Sequence, residues 1–366
     1  MNNNRVNPIN FLKSTATICV FALHATLFDD TSFFNKRGYT FLLRTPAWAS
    51  VWIFVLISGY LAGCSYATQR YNYTFKSISE YYKKKIRRVF VPVGTFIFIC
   101  WALHYPDFII GRPIVLLKFL TLTYRGDPGN NGIGACWFVF MIGMFYLITP
   151  YICRLISTIN NTKKFIVVYT CTLMLGLCFR INNYRLGLDW SGRTYASFWG
   201  NFDLYVIGIL MAFYREKLRP HIEVTLKRKI ATVLILVDLI VINAWIYNQA
   251  YFYQITSWIG PYWFWYQYLF PTIYAVIVSA YFDTFHEINK CIQSPLNVEQ
   301  VCQNPFRVID WFAGISFEFY LFHSWILSNF APYIKMTTAL ESHLWLLGIS
   351  ATITVILSIG FQKIFK

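Results

Sequence analysis

Two side chains in the first apolar stretch, residues 9–28, have the types and spacing that chemistry needs: Lys13 and His24, with ten residues between them. On an α-helix, eleven steps of about 100° close roughly three turns, so both fall on one face. Their separation along the axis is about 16 Å, roughly half the hydrocarbon thickness of a bilayer. An imidazole within a membrane span is by default a functional-site expectation, because polar groups there are costly. The plainer reading is a histidine hydrogen-bonded to a neighbouring helix. As a proton acceptor it suits neutral pH, its ordinary pKa being about 6.5. Lys13 also has two readings. It is either a cation snorkelling to lipid headgroups or a contact for an anionic cofactor or a paired carboxylate.

A second concentration of charge precedes the third apolar run: Lys83, Lys84, Lys85, Arg87 and Arg88, with Pro92 close behind. As a basic loop it is either topology-setting charge or a grip for phosphates at the membrane face, lysine as a point charge and arginine as a fork. Pro92 is tolerable in the first turn of a helix. Ser58-Gly59 in the second run either permits close helix packing or leaves space lining a passage. Late in the chain, Glu318 and His323 sit in an apolar run five residues apart, on different faces of a helix. Glu318 and Asp238 are candidate partners for Lys13 or a buried arginine. The Gly-rich stretch 125–134 lacks the Gly-Lys-Ser/Thr of a phosphate loop. The aromatic cluster from Tyr251 to Tyr266 reads as an interfacial belt or, alternatively, a sugar-stacking platform.

These residues are embedded in a chain of 366 residues that is 57% hydrophobic and only 13% charged, with a mean hydropathy of +0.45. A soluble domain carries about a quarter charged residues, so the class is integral membrane protein. The net charge of +16 would suggest nucleic acid in a soluble protein. Here the basic residues fall in short segments between apolar runs, as membrane topology demands, and no nucleic-acid partner is expected. The nine cysteines lie mostly inside apolar runs, without zinc-type spacing and in odd number. Neither a metal site nor a disulfide framework is expected. The first apolar run reads as a retained span rather than a cleaved signal.

About ten transmembrane helices can be placed, at residues 9–28, 45–66, 89–110, 137–156, 165–182, 202–214, 230–248, 263–282, 311–330 and 344–361. The segment 114–122 is too short to span. The expected fold is therefore all-α and polytopic, one membrane-embedded domain over residues 1–366. Ten spans place both termini on the same side. Putting that side in the cytoplasm leaves roughly 22 of the Lys and Arg residues inside and roughly 10 outside. His24 then lies in the outer half of the membrane and Lys13 near the inner surface.

In order and spacing, the motifs resemble the acyltransferase 3 family of bacterial inner-membrane O-acyltransferases. Its first-helix signature of arginine, ten residues and histidine is echoed by Lys13 to His24. Phe54-Val-Leu-Ile-Ser-Gly-Tyr-Leu61 resembles its second-helix ending, and Lys84, Lys85 and Arg88 followed by Pro92 its basic motif. Trp137-Phe138 and Gly314-Ile-Ser-Phe-Glu-Phe-Tyr-Leu-Phe-His323 match later landmarks. Lys13 stands where the family has arginine, and Lys84 and Lys85 where it has an arginine pair, so charge is kept while bidentate geometry is not. The resemblance implies acetyl-CoA as a cytoplasmic donor and a polysaccharide or lipid-linked glycan as outer acceptor, with membrane lipids as surroundings. Lys84, Lys85, Arg88 and Ser58 would serve the donor. His24 would act as general base or transient acyl carrier, with Lys13 on the same face. A transporter or flippase of a lipid-linked saccharide is the competing class and a glycan polymerase a third. Transporters often show two related halves, and none is visible here.

Overall fold

The computed structural model describes residues 7–27, 39–104, 117, 136–188, 194–218, 270–284, 305–334 and 339–365, and every regular element among them is helical. The helices are α1 (Pro8–Leu27), α2 (Tyr39–Ala67), α3 (Phe75–Lys85), α4 (Val91–His104) and α5 (Trp137–Ile156). They continue with α6 (Thr162–Arg185), α7 (Phe198–Phe213), α8 (Phe270–Thr284), α9 (Pro305–Phe330) and α10 (Ala339–Phe365). In lipid no water can pair with exposed amides, so a chain this apolar satisfies its backbone within helices. Among the described residues four helical segments are long and apolar enough to cross a membrane: Ala49–Ala67, Trp137–Ile156, Thr162–Arg185 and Leu344–Phe365. The expected spans at 230–248 and the start of 263–282 lie outside the described residues. So do Asp238, the Gly-rich stretch 125–134 and the aromatic cluster at 251–266.

At the centre, α7 packs most extensively against α2. Its residues from Asp203 to Phe213 are all buried, so it presents no polar face, as a core helix should. The close approach has a local cause. A Cβ on Gly59 would run into the Tyr205 carbonyl, and one on Gly208 into that of Leu56. Small residues let helix backbones meet where lipid supplies little hydrophobic drive of its own. Phe145 of α5 stacks on Tyr205 with ring centroids 4.5 Å apart, and the Tyr205 hydroxyl meets Thr149 at 2.7 Å.

Among the described residues, two ion pairs cross this core. Arg180 of α6 donates to both carboxylate oxygens of Asp203 on α7, at 3.0 and 2.7 Å. The same guanidinium donates to the Gly200 carbonyl and to Thr272 on α8, at 3.0 and 2.8 Å. Arg215 meets Asp283 at 3.1 Å. Charges buried like this survive because each is neutralised and hydrogen-bonded.

The basic stretch before the third span is a helix, not a loop. Thr74 caps it, its hydroxyl accepting from the Ser77 amide at 3.4 Å. It passes into α4 through a π turn, Ile86–Phe90, in which the Val91 amide donates to the Ile86 carbonyl five residues back. Pro92 explains the widening. It lacks an amide hydrogen, and its ring would collide with the carbonyl four residues back in a regular helix.

Helices α1 and α9 run parallel. The Asn10 amide donates to Asp310 at 2.9 Å and Ser14 to the Ile309 carbonyl at 2.8 Å, while Lys13 meets the Ala313 carbonyl at 3.4 Å. Numbers rise together along both helices, as for two spans entered from the same side.

Candidate functional site

A cavity of about 490 Å³ opens where the start of α1 and the end of α10 meet α2, the α3–α4 helix, α5 and α9. Its volume is typical of small-molecule sites. It is lined by five cations, Lys13, Lys84, Lys85, Arg87 and Arg88, and by one carboxylate, Glu318. Among the expected donor-site residues, Ser58, Lys84, Lys85 and Arg88 all line it, together with Lys13. Arg87, named in sequence with the same basic stretch, lines it too, as do Gln362 and Tyr146, neither of which carries a signal in sequence.

Each of these positions has a local cause. Ser58 and Gly59 are neighbours in α2, about 100° apart around the axis. Gly59 meets α7, and Ser58 looks into the cavity. The pair thus divides its positions, Gly59 at the helix contact and Ser58 at the cavity. The Tyr82 hydroxyl ties α3 to α5 by donating to the Leu147 carbonyl at 2.6 Å. That contact brings Lys85 over the Tyr146 ring, 3.9 Å from its centroid, and 5.4 Å from that of Tyr81. Burial lowers the pKa of Lys85 to about 7, and the like charges of Arg88, Lys84 and Arg70 add to the shift. Burial likewise lowers that of Lys84, with Arg70 and Arg88 contributing. A cluster of cations at reduced basicity is a site that gains from receiving negative charge.

Much of the remaining lining is apolar, with Phe54, Ile57, Phe138 and Phe317 prominent. The Gln362 amide closes one side by donating to the Gly314 carbonyl. Cations beside apolar walls suit a ligand with both an anionic and a less polar part.

His24 is not among the cavity's lining residues. Its Nδ1 lies 2.7 Å from Nε2 of His323 on α9. The two rings are within 13° of one plane with centroids 4.9 Å apart, so they meet edge to edge. His323 Nδ1 in turn lies 2.6 Å from the Tyr320 carbonyl. Tyr320 belongs to both places: it lines the cavity, and its ring centroid is 5.4 Å from that of His323. Lys13 and His24 both turn toward α9, as their shared face requires, with Lys13 at the cavity and His24 beyond Tyr320. His323 as a partner for His24 was missed from sequence. Sequence spacing relates it only to Glu318 on the same helix, and the two histidines are 299 residues apart.

The arrangement defines a class: a helical membrane protein with a cation-lined cavity that shares Tyr320 with a neighbouring pair of imidazoles. The acyltransferase domain of the acyltransferase 3 family matches residues 6–361, and the chain belongs to that family. No curated protein matches the chain, and neither does any solved structure.

Proposed function

We propose that this membrane acyltransferase moves an acetyl group from acetyl-CoA on the cytoplasmic side to a hydroxyl of a surface polysaccharide sugar outside. Both termini would be cytoplasmic in a bacterial inner membrane. One observation carries the reading: Lys13, Ser58, Lys84, Lys85 and Arg88, from separate stretches of sequence, converge on a single cavity. Phosphates of the donor would be held by Lys84, Lys85 and Arg88, where charge-assisted hydrogen bonds are strongest. The Lys13 ammonium, deeper on α1, would meet the polar part of the arm. The thioester end would then pass the Tyr320 ring to reach His24.

There His24 removes the proton from the sugar hydroxyl as its oxygen attacks the thioester carbon. The tetrahedral adduct collapses, the carbon–sulfur bond breaks, and the CoA thiolate takes the proton back from the imidazole. An ester and a free thiol result. In the alternative course His24 attacks first and carries the acyl group to the sugar. In both, the surrounding apolar wall keeps water from the thioester.

The test is direct. Purified protein in detergent, given labelled acetyl-CoA and a candidate glycan, should raise the acceptor mass by one acetyl group. A folded His24→Ala variant that kept full transfer would overturn the role given to that residue. Mass spectrometry of surface polysaccharide from cells with and without the gene identifies the acceptor.

A further inference from the structure

We propose that His323 is a positioning residue that keeps a proton on His24 Nδ1 and thereby makes His24 Nε2 the reacting nitrogen. The proposal rests on the reading of His24 as the group that receives the hydroxyl proton or the acyl group. It follows from one acceptor. The Tyr320 carbonyl, 2.6 Å from His323 Nδ1, can only accept a hydrogen bond, so Nδ1 of His323 carries the hydrogen. A neutral imidazole has a single N–H, which leaves His323 Nε2 as an acceptor. The atom facing it at 2.7 Å is His24 Nδ1, which must therefore donate. That exhausts the N–H of a neutral His24, and its lone pair is on Nε2.

The geometry is consistent throughout. Rings near a common plane suit an N–H···N bond, since the donor hydrogen and the acceptor lone pair each lie in their own ring plane. His323 is also held in place. It is 1% exposed, with Phe21 meeting it edge-on at 6.4 Å and Phe319 parallel to it at 6.5 Å. When Nε2 of His24 takes the hydroxyl proton, the ring becomes a cation with hydrogens on both nitrogens. Its Nδ1–H···Nε2 bond to His323 then strengthens because the donor is charged. When the proton passes to the departing thiolate, both rings return to their starting forms. His323 needs no net change of protonation. The acyl-carrier course uses the same lone pair, so the assignment holds for either.

Two measurements decide it. Solid-state ¹⁵N spectra of protein labelled at its six histidines, with the His24→Ala spectrum subtracted, isolate the His24 signals. The expected pattern is a protonated Nδ1 and a bare Nε2. A bare Nδ1 with a protonated Nε2 overturns the proposal, whether or not any variant folds. In kinetics, His323→Leu removes the acceptor and should lower kcat by roughly 10²–10⁴-fold, the range a mispositioned base forfeits. The KM for acetyl-CoA should stay within about threefold, because His323 does not line the cavity. His323→Gln offers an amide oxygen to Nδ1–H and should recover kcat to within about tenfold of the parent. A His323→Leu enzyme with kcat within about threefold of the parent would sink the positioning role. Full transfer by His24→Ala would instead remove the catalytic reading, leaving the nitrogen assignment to stand on the spectra alone.

Discussion

Lys85 should make donor binding depend on proton concentration. Its ammonium sits 3.9 Å from the centre of the Tyr146 ring, and burial followed by the charges of Arg88, Lys84 and Arg70 lowers its pKa from 10.5 to about 7. A phosphate entering the cavity restores the charged form, because the opposite charge now favours it. The sign follows: the ammonium is present below pH 7 and lost above it, so an anion that needs it binds tightest at the lower pH. Each further pH unit above 7 then costs about a factor of ten in affinity. Counting the half-charged starting point, Kd rises roughly 50-fold from pH 7 to pH 9, about 2.3 kcal/mol. That window lies above the second ionisation of a phosphate monoester, about 6, so the charge on the ligand's phosphates is constant. The assay is calorimetric titration of CoA into detergent-solubilised protein at fixed ionic strength. Repeating it in buffers of different ionisation enthalpy counts the protons taken up on binding. Lys85→Arg keeps its charge across the window and should flatten the profile. A wild-type Kd unchanged between pH 7 and 9 refutes the reasoning, as does an arginine variant with the parental slope. In the ligand-free protein the unfolded chain holds the Lys85 proton to higher pH than the folded one. Stability should therefore rise with pH through the same window.

Arg88→Ala should raise the KM for acetyl-CoA by about tenfold at low salt and less at high salt, where screening weakens exposed charges, with kcat unchanged. Gly59→Val would press two methyl groups into the Tyr205 carbonyl region and should cost about 1–3 kcal/mol, read as a lower thermal midpoint. Arg180→Met leaves the Asp203 carboxylate buried and uncompensated, for an expected loss of about 3–5 kcal/mol. The double change Arg180→Met with Asp203→Leu should be less damaging than that single one. A double variant no more stable than the single would refute the account of the pair.

Much of the site was legible because cost is legible: a histidine and a lysine in an apolar helix stand out one residue at a time. The convergence of Lys13, Ser58, Lys84, Lys85 and Arg88 was suggested by the family resemblance, and the fold brings them to one cavity. What escaped depends on contacts between helices. His323 gains its meaning from His24, and no local spacing joins residues 299 apart. Arg180 and Asp203 sat inside runs counted as apolar, and only their mutual neutralisation explains why they are tolerated. The basic stretch reads as a loop when its charge alone is weighed. Thr74 as a cap, with Ile78, Tyr81, Tyr82 and Lys85 spaced three and four apart, carried the helical signal.

The π turn ahead of Pro92 also has a mechanical consequence. It inserts slack of one residue between a water-facing half, with its lysines and tyrosines, and an oily half that ends near His104. Each half can keep its own preferred azimuth. Closing 86–90 to a regular α coil with every residue kept would swing one half against the other, because the tighter coil carries each residue through about 100°. The ammonium and guanidinium groups of that rod would then point away from the chamber, even though no atom of the chamber wall had been exchanged.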